Sequence, residues 1–286
     1  MPSPDRRVST KVGLPYRETA MVEPRIERLP PGISSQHLAR IGLNPKRSEW
    51  DGAGRIRLRI CDTGEFAEAR PWRDRKDILE VLELTSGPNC LHLLDDLSRR
   101  FAAQGGQLVL VYGRLFWSNE AIFRQVGFAL LEEIVEMTSV RPFCDAKIPD
   151  RVVRFERERD PIRLLTIDRE AFSWLWCNSR HEMSNYLKQA GVRAFTAISN
   201  DVLAGYVSFT VHRDFAHIDR LAVLPEQQGQ GIGKALMRWS LGEIRESGRE
   251  NVILTTQSSN TRSQSLYRSF GFSKTQGGYS IYGKWL

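Results

Sequence analysis

Cysteine is scarce in this chain of 286 residues. There are four (Cys61, Cys90, Cys144 and Cys177), with no Cys-x-x-Cys pair and no histidines at ligand spacing around them. That spacing argues against a disulfide framework and against a zinc site, so no metal is expected and a reducing compartment is. Long apolar runs are missing too. Nothing approaches the roughly 20 residues of a membrane span, and the first residues lack the apolar centre of a secretory leader. A cytoplasmic protein with no membrane partner is the expectation. Blocks of one charge are also absent. Lys and Arg outnumber Asp and Glu by 41 to 34, a net charge of +7. Yet arginines alternate with glutamates, and no basic run carries interleaved aromatics, so nucleic acid is not the expected partner. The surplus suits a small anionic ligand. An apolar content of 41% is enough for a sizeable core, and the length allows two domains.

What the chain does have is one stretch rich in signal, Leu221-Ala-Val-Leu-Pro-Glu-Gln-Gln-Gly-Gln-Gly-Ile-Gly-Lys-Ala235. An alternating apolar run stops at Pro225, glycines follow at 229, 231 and 233, and a helical pattern runs from Lys234 to about Ser247. Strand, glycine turn and helix in that order build a backbone anion cradle. Glycine lets the chain turn tightly and come close to a ligand, and the unpaired N–H groups of the helix start point at it. A P-loop requires four residues between its first Gly and the Gly-Lys pair, followed by Ser or Thr. Here three residues separate Gly229 from Gly233, and Ala235 replaces the hydroxyl. A dinucleotide fingerprint would place its third glycine one residue later.

Further on, Asn251-Val-Ile-Leu-Thr-Thr256 reads as a strand, and Asn260-Thr-Arg-Ser-Gln-Ser-Leu-Tyr-Arg-Ser-Phe-Gly-Phe272 follows it. Gln228-x-x-Gly231-x-Gly233 after Val223-x-Pro225 resembles the acetyl-CoA pyrophosphate loop of the GNAT N-acetyltransferase superfamily. The second segment is similar to that superfamily's Asn-x-x-(small)-x-x-Leu-Tyr-x-x-x-Gly-Phe. The resemblance covers about Val152 to Leu286. It implies an α/β fold with a mixed, twisted sheet whose fourth and fifth strands splay around acetyl-CoA.

The same resemblance assigns roles. The pantetheine arm would line up along Leu221, Ala222 and Val223. The pyrophosphate would sit on Gln228, Gly229, Gln230, Gly231, Ile232, Gly233 and Lys234, and Asn260 would orient the arm, although an asparagine there is equally a plain helix cap. Tyr267 would protonate the departing thiolate; a phenol with a reference pKa of about 10 keeps its proton at neutral pH. The base stays open between His217, Asp219 and a water chain. His217 stands where histone-type members carry a glutamate, and Asp219 shares its face if the strand is regular. Thr255 departs from amino-terminal acetyltransferases, which place a glutamate there. The expected activity is acetyl transfer from acetyl-CoA to a primary amine of a small molecule or peptide; the alternative is a GNAT fold that holds CoA without turnover.

Earlier in the chain the pattern repeats. Sliding the sequence so that Leu108 falls on Val252 sets Leu110, Arg124, Gly127 and Phe128 on identical residues and Phe123 on Tyr267. The chemistry does not repeat: the glycine loop shrinks to Ser86-Gly-Pro, Phe116 faces Asn260, and Phe123 has no hydroxyl. The reading is a tandem chain: an arm over 1–30, a degenerate GNAT-like half over 31–145 and a GNAT domain over 151–286, a layout similar to mycothiol synthase. Within it, a short helix is expected over 34–41, strands over 55–60, 66–72, 107–112 and 129–138, helices over 91–103 and 120–125, and a linker around 140–150. Lys76 to Leu84 reads as either strand or helix. In the second half a strand runs from Val152, a helix from Asp160 to Phe172 and another from His181 to Ala190. A hairpin turns at Asn200-Asp201, Phe215 to Val223 feeds the glycine loop, and Ser280 to Trp285 closes the sheet. The aromatic run Phe172–Cys177 is either packing between two helices or a wall of the acceptor pocket.

Overall fold

A computed structural model describes residues 49–50, 55–59, 64–85, 87, 89–113, 123–142 and 153–286. The expected arm, the helix over 34–41, residues 120–122 of the helix over 120–125, Phe116 and the linker beyond residue 142 lie outside them. No helix among the described residues is long and apolar enough to cross a membrane.

In the first half, β1 (Glu49–Trp50), β2 (Ile56–Arg59), β3 (Phe66–Pro71) and β4 (Ile78–Leu84) form an antiparallel meander. The ambiguous 76–84 stretch is therefore strand, and Ile78 to Val81 are buried. Helix α1 (Cys90–Ala102) crosses back to β5 (Leu108–Tyr112), which runs parallel to β4, and β6 (Ala129–Val140) follows, so Val140 is still strand. The second half runs β7 (Val153–Arg157), α2 (Pro161–Ala171), α3 (Arg180–Leu187), β8 (Val192–Ser199), β9 (Val202–Val211), β10 (Ala216–Val223), α4 (Ile232–Glu246), β11 (Asn251–Gln257), α5 (Thr261–Arg268) and β12 (Ser273–Trp285).

Local chemistry sets these boundaries. Asp160 caps α2 by accepting from the Ile162 N–H, and Pro161 takes its first position. Ser179 and Glu182 form a capping box that starts α3. Asn200 and Asp201 both adopt positive φ (52° and 61°), giving the two-residue turn of the β8–β9 hairpin. Three expectations need correction. Helix α3 ends at Leu187 rather than Ala190: the chain turns at Lys188–Gln189, and at Gly191 it passes so close to Val211 that a Cβ would lie 2.3 Å from its carbonyl oxygen. Helix α4 begins two residues early, at Ile232, because Gly231 itself caps it. The closing strand starts at Ser273; a bulge between Lys274 and Gly278 hides its regularity in the sequence.

The twelve strands among the described residues join one sheet in the order β1-β2-β3-β4-β5-β12-β6-β11-β10-β9-β8-β7. The two halves share a plan within it. Three residue pairs join β4 to β5 (Ile78↔Leu108 to Glu80↔Leu110) and three join β10 to β11 (Ala216↔Val252 to Ile218↔Leu254). Beyond those pairs the parallel strands part. Phe123 and Phe128 meet with ring centroids 6.4 Å apart at 57°; Tyr267 and Phe272 repeat this at 6.3 Å and 56°. The last strands are exchanged: β6 pairs with β11 of the second half, and β12 pairs with β5 of the first.

Helix alternation decides which face each element covers. On one face α4 lays Leu236, Met237 and Ile244 onto Val207, Phe209, Ile218 and Leu254. On the other, Leu164, Leu165, Ile167 and Met183 of α2 and α3 pack against Tyr206 and Ala222. Val207 and Tyr206 are neighbours, so these are opposite sides of the sheet. Truncating Leu236 or Leu254 to alanine removes about 2–5 kcal/mol.

Candidate active site

The glycine stretch forms a cradle at the head of α4. Gly229 and Gly231 are left-handed (φ 78° and 83°), which a side chain disfavours. The N–H groups of Gly229 through Lys234 find no acceptor among the described residues, and α4 starts without a side-chain cap. Helices α2, α3 and α5, in contrast, are each capped by their own side chains. Gly233 has no positive φ, and a Cβ there would meet Leu266 at 3.5 Å, Val223 at 3.8 Å and Leu221 at 4.0 Å, all ordinary contacts. The described residues therefore do not themselves require glycine at that position. Gln228 braces the loop by donating to the Val223 carbonyl at 3.1 Å while accepting from Arg262.

Below the cradle, β10 and β11 diverge after Ile218↔Leu254, so Leu221, Ala222 and Val223 pair only with β9. Their other edge offers main-chain groups to an amide-bearing arm. Uncapped N–H groups above and an unpaired strand edge below fit the phosphates and pantetheine of acetyl-CoA.

Register shifts between Ile218 and Arg220, which bulges the strand at Asp219. His217 and Asp219 nevertheless meet: Nδ1 lies 2.8 Å from Asp219 Oδ1. The other carboxylate oxygen accepts from the Tyr186 hydroxyl at 2.6 Å and Thr210 Oγ1 at 2.7 Å. With Nδ1–H directed at the carboxylate, Nε2 presents its lone pair. Burial and the adjacent Asp219 carboxylate push the Tyr186 phenol pKa upward, so it remains a donor.

Tyr267 is 7% exposed and belongs to the cluster around α4. Burial pushes its pKa up to about 12, partly offset by the Ser263 hydroxyl. It lies on the opposite side of the sheet from His217, and the two make no contact; the splay between β10 and β11 separates them. Asn260 caps α5 by accepting from the Ser263 N–H at 3.0 Å.

One cluster escaped the reading of the sequence. Asp168 on α2, fully buried, accepts from Tyr206 OH at 2.5 Å, Arg220 Nε at 2.8 Å and the Asn178 N–H at 2.8 Å. Arg220 also donates to the Trp176 carbonyl and lies 4.0 Å over the Phe172 ring. The aromatic run is thus bound to β10 beside the bulge. A carboxylate among Leu164, Leu165 and Ile167 was the available signal, because a buried charge demands partners. The first half reaches the same run: Trp72 Nε1 donates to Leu175 O at 2.8 Å, and Arg73 donates to Asn178.

The sequence profile of the acetyltransferase (GNAT) family matches residues 161–272. Over 107 residues the chain is 33% identical to N-acetyltransferase 8B of Homo sapiens, covering 35% of this chain and 46% of that protein, so it spans less than half of that relative's length. It is 22% identical over 291 residues to mycothiol acetyltransferase of Rhodococcus erythropolis, covering 87% of this chain and 95% of that one. Among solved structures, a tandem GNAT protein from the clavulanic acid biosynthesis pathway superposes with a TM-score of 0.53 at 13% identity, covering 81% of this chain and 82% of the other. At that identity the likeness is one of fold.

Proposed function

We propose, from the match of residues 161–272 to the acetyltransferase (GNAT) family, that the chain is a GNAT enzyme and transfers an acetyl group from acetyl-CoA to a primary amine of a small molecule or peptide. The observation that carries this reading is the conjunction of an uncapped glycine cradle, an unpaired β10 edge and a carboxylate-held histidine. Acetyl-CoA supplies the activated thioester. The N–H groups from Gly229 to Lys234 hold its phosphates, assisted by the positive end of α4, and the β10 edge from Leu221 to Val223 aligns its arm. His217 accepts a proton from the attacking ammonium through Nε2, while Asp219 stabilises the imidazolium that results. As the C–N bond forms and the C–S bond breaks, Tyr267 gives its phenolic proton to sulfur; the nitrogen sheds its second proton to solvent, and solvent returns one to the phenolate, whose raised pKa restores the phenol. In this reading residues 31–145 form a degenerate copy that binds no cofactor, and residues 151–286 carry the site.

The test is release of free thiol from acetyl-CoA with a panel of primary amines, beside calorimetry with CoA. Transfer predicts CoA binding and amine-dependent thiol. CoA binding with no amine supporting thiol release would establish a non-catalytic CoA module instead.

A further inference from the structure

The turn between β3 and β4 belongs to the first half, yet its side chains sit against the second half's aromatic run. Arg73 and Asp74 both take left-handed backbone (φ 51° and 58°), which is costly for residues with a Cβ. The turn is held there by Trp72 on the Leu175 carbonyl, Asp74 against Ser179 and Arg75 over Trp174. Arg73 is thereby placed with its guanidinium 4.8 Å over the Trp72 ring, and Trp176 meets that ring at 6.0 Å. Its polar partners are few. It donates to the neutral Asn178 amide, and Glu182 Oε2 lies 3.7 Å away, an oxygen already accepting from the Ser179 N–H. Arg73 Nε is buried with no acceptor among the described residues. Arg220 nearby differs: its Nε is engaged by Asp168 and Tyr206, and its remaining donation goes to Trp176. Burial, with Arg220 adding to it, depresses the Arg73 pKa by more than the Glu182 and Asp168 carboxylates restore.

We propose that Arg73, supplied by the first half, binds a carboxylate on the amine acceptor and thereby selects amino-acid-like or peptide acceptors over simple amines. This rests on the acetyl-transfer reading above. The bulge at Asp219 lets Arg220 face α2 while Asp219 faces α3, so the cluster borders the His217–Asp219 pair on the side of the sheet that those helices cover. An acceptor can place its amine at His217 and its carboxylate at Arg73. The guanidinium fork matches a carboxylate, and aromatic walls lower the dielectric around the pair. A phosphate dianion fits less well, because the Glu182 carboxylate stands beside the same guanidinium.

Amino acids and their amides, compared as acceptors by thiol release, test the assignment in wild type, Arg73→Gln and Arg73→Lys. Wild type should prefer acids. Arg73→Gln should raise the KM of acids about 10- to 100-fold, the usual scale for a lost charged hydrogen bond, with the KM of amides, that of acetyl-CoA and kcat unchanged. Arg73→Lys should recover part of the preference. Binding of N-acetylalanine against N-acetylalaninamide, followed by tryptophan fluorescence, reports the same contact without turnover. If transfer occurs but the acid-to-amide ratio is flat, or survives Arg73→Gln, the carboxylate assignment is overturned while acetyl transfer stands. If no amine is acetylated and N-acetylalanine still binds through Arg73, the transfer reading falls and the anchor stands.

Discussion

Tyr267 joins a packed ring to the hydroxyl proposed above as the acid. Its ring fills the cluster beneath α4 and meets Phe272, while its hydroxyl is what distinguishes it from Phe123 in the first half. Tyr267→Phe keeps the ring, so acetyl-CoA affinity measured by calorimetry should not change. Turnover should fall about 10²- to 10⁴-fold if the phenol is the acid; wild-type turnover in the variant would give that role to another donor. The same phenol has a consequence for stability. An unfolded tyrosine ionises near pH 10, whereas the buried one holds its proton to about 12. The unfolded state therefore releases its proton first. The contribution of Tyr267 is complete below pH 10 and is lost as pH rises to about 12, at about 1.4 kcal/mol per pH unit. Denaturant titrations across that window should show a shallower decline in the Phe variant.

At the scale of elements, the two equivalent helix starts explain why one half should hold the cofactor. In the first half Glu65 is folded over the start of α1, accepting from the Asn89 N–H at 3.1 Å and from its amide group at 2.6 Å. Gly87 makes room for it, since a Cβ there would lie 1.8 Å from Glu65 Oε1. A carboxylate of the chain itself thus lies over the start of α1, whereas no side chain caps the start of α4, where the phosphates are proposed to sit. Gly233→Glu carries this difference across. Position 233 has helical backbone and space for a side chain, and an acid in a first helical turn favours the helix. The melting temperature should hold or rise, and acetyl-CoA binding by calorimetry should be lost. Unchanged affinity would place the phosphates elsewhere.

These elements also show which signals a sequence carries. The β8–β9 turn, the Asp160-Pro161 helix start, the Asn260 cap and the glycine cradle were legible because each depends on residues within a few positions of one another. The end of α3 was not: Lys188, Gln189 and Ala190 are good helix formers, and what stops them is the approach of Gly191 to Val211 in another strand. The bulge that splits β12 breaks its alternation in the same way. Arg73 was invisible for a different reason. In Trp72-Arg-Asp-Arg-Lys-Asp77 it is one charge among several, and only the fold brings it to Asn178. His217 and Asp219 were legible as a pair, but the Tyr186 and Thr210 hydroxyls that fix the carboxylate come from α3 and β9.

At the scale of the whole molecule, the exchange of β6 and β12 ties the halves into one cooperative unit. Strand β11 forms one wall of the splayed site, and its outer neighbour is β6 over seven residue pairs from Asn251↔Val140 to Gln257↔Ile134. Met137 of β6 also completes the cluster beneath α4. Residues 151–286 made alone would therefore expose the edge of β11, open the core at Met137 and leave β12 without β5 and β6, a template for aggregation. We expect that fragment to be insoluble or to lack a cooperative unfolding transition, and co-expression with residues 1–150 to restore soluble protein that binds acetyl-CoA. The intact chain should melt in a single calorimetric transition in which both halves unfold together. Two separated transitions, or an isolated second half that folds and binds acetyl-CoA with full affinity, would falsify this coupling; the exchanged strands would then be a docking of two independent domains.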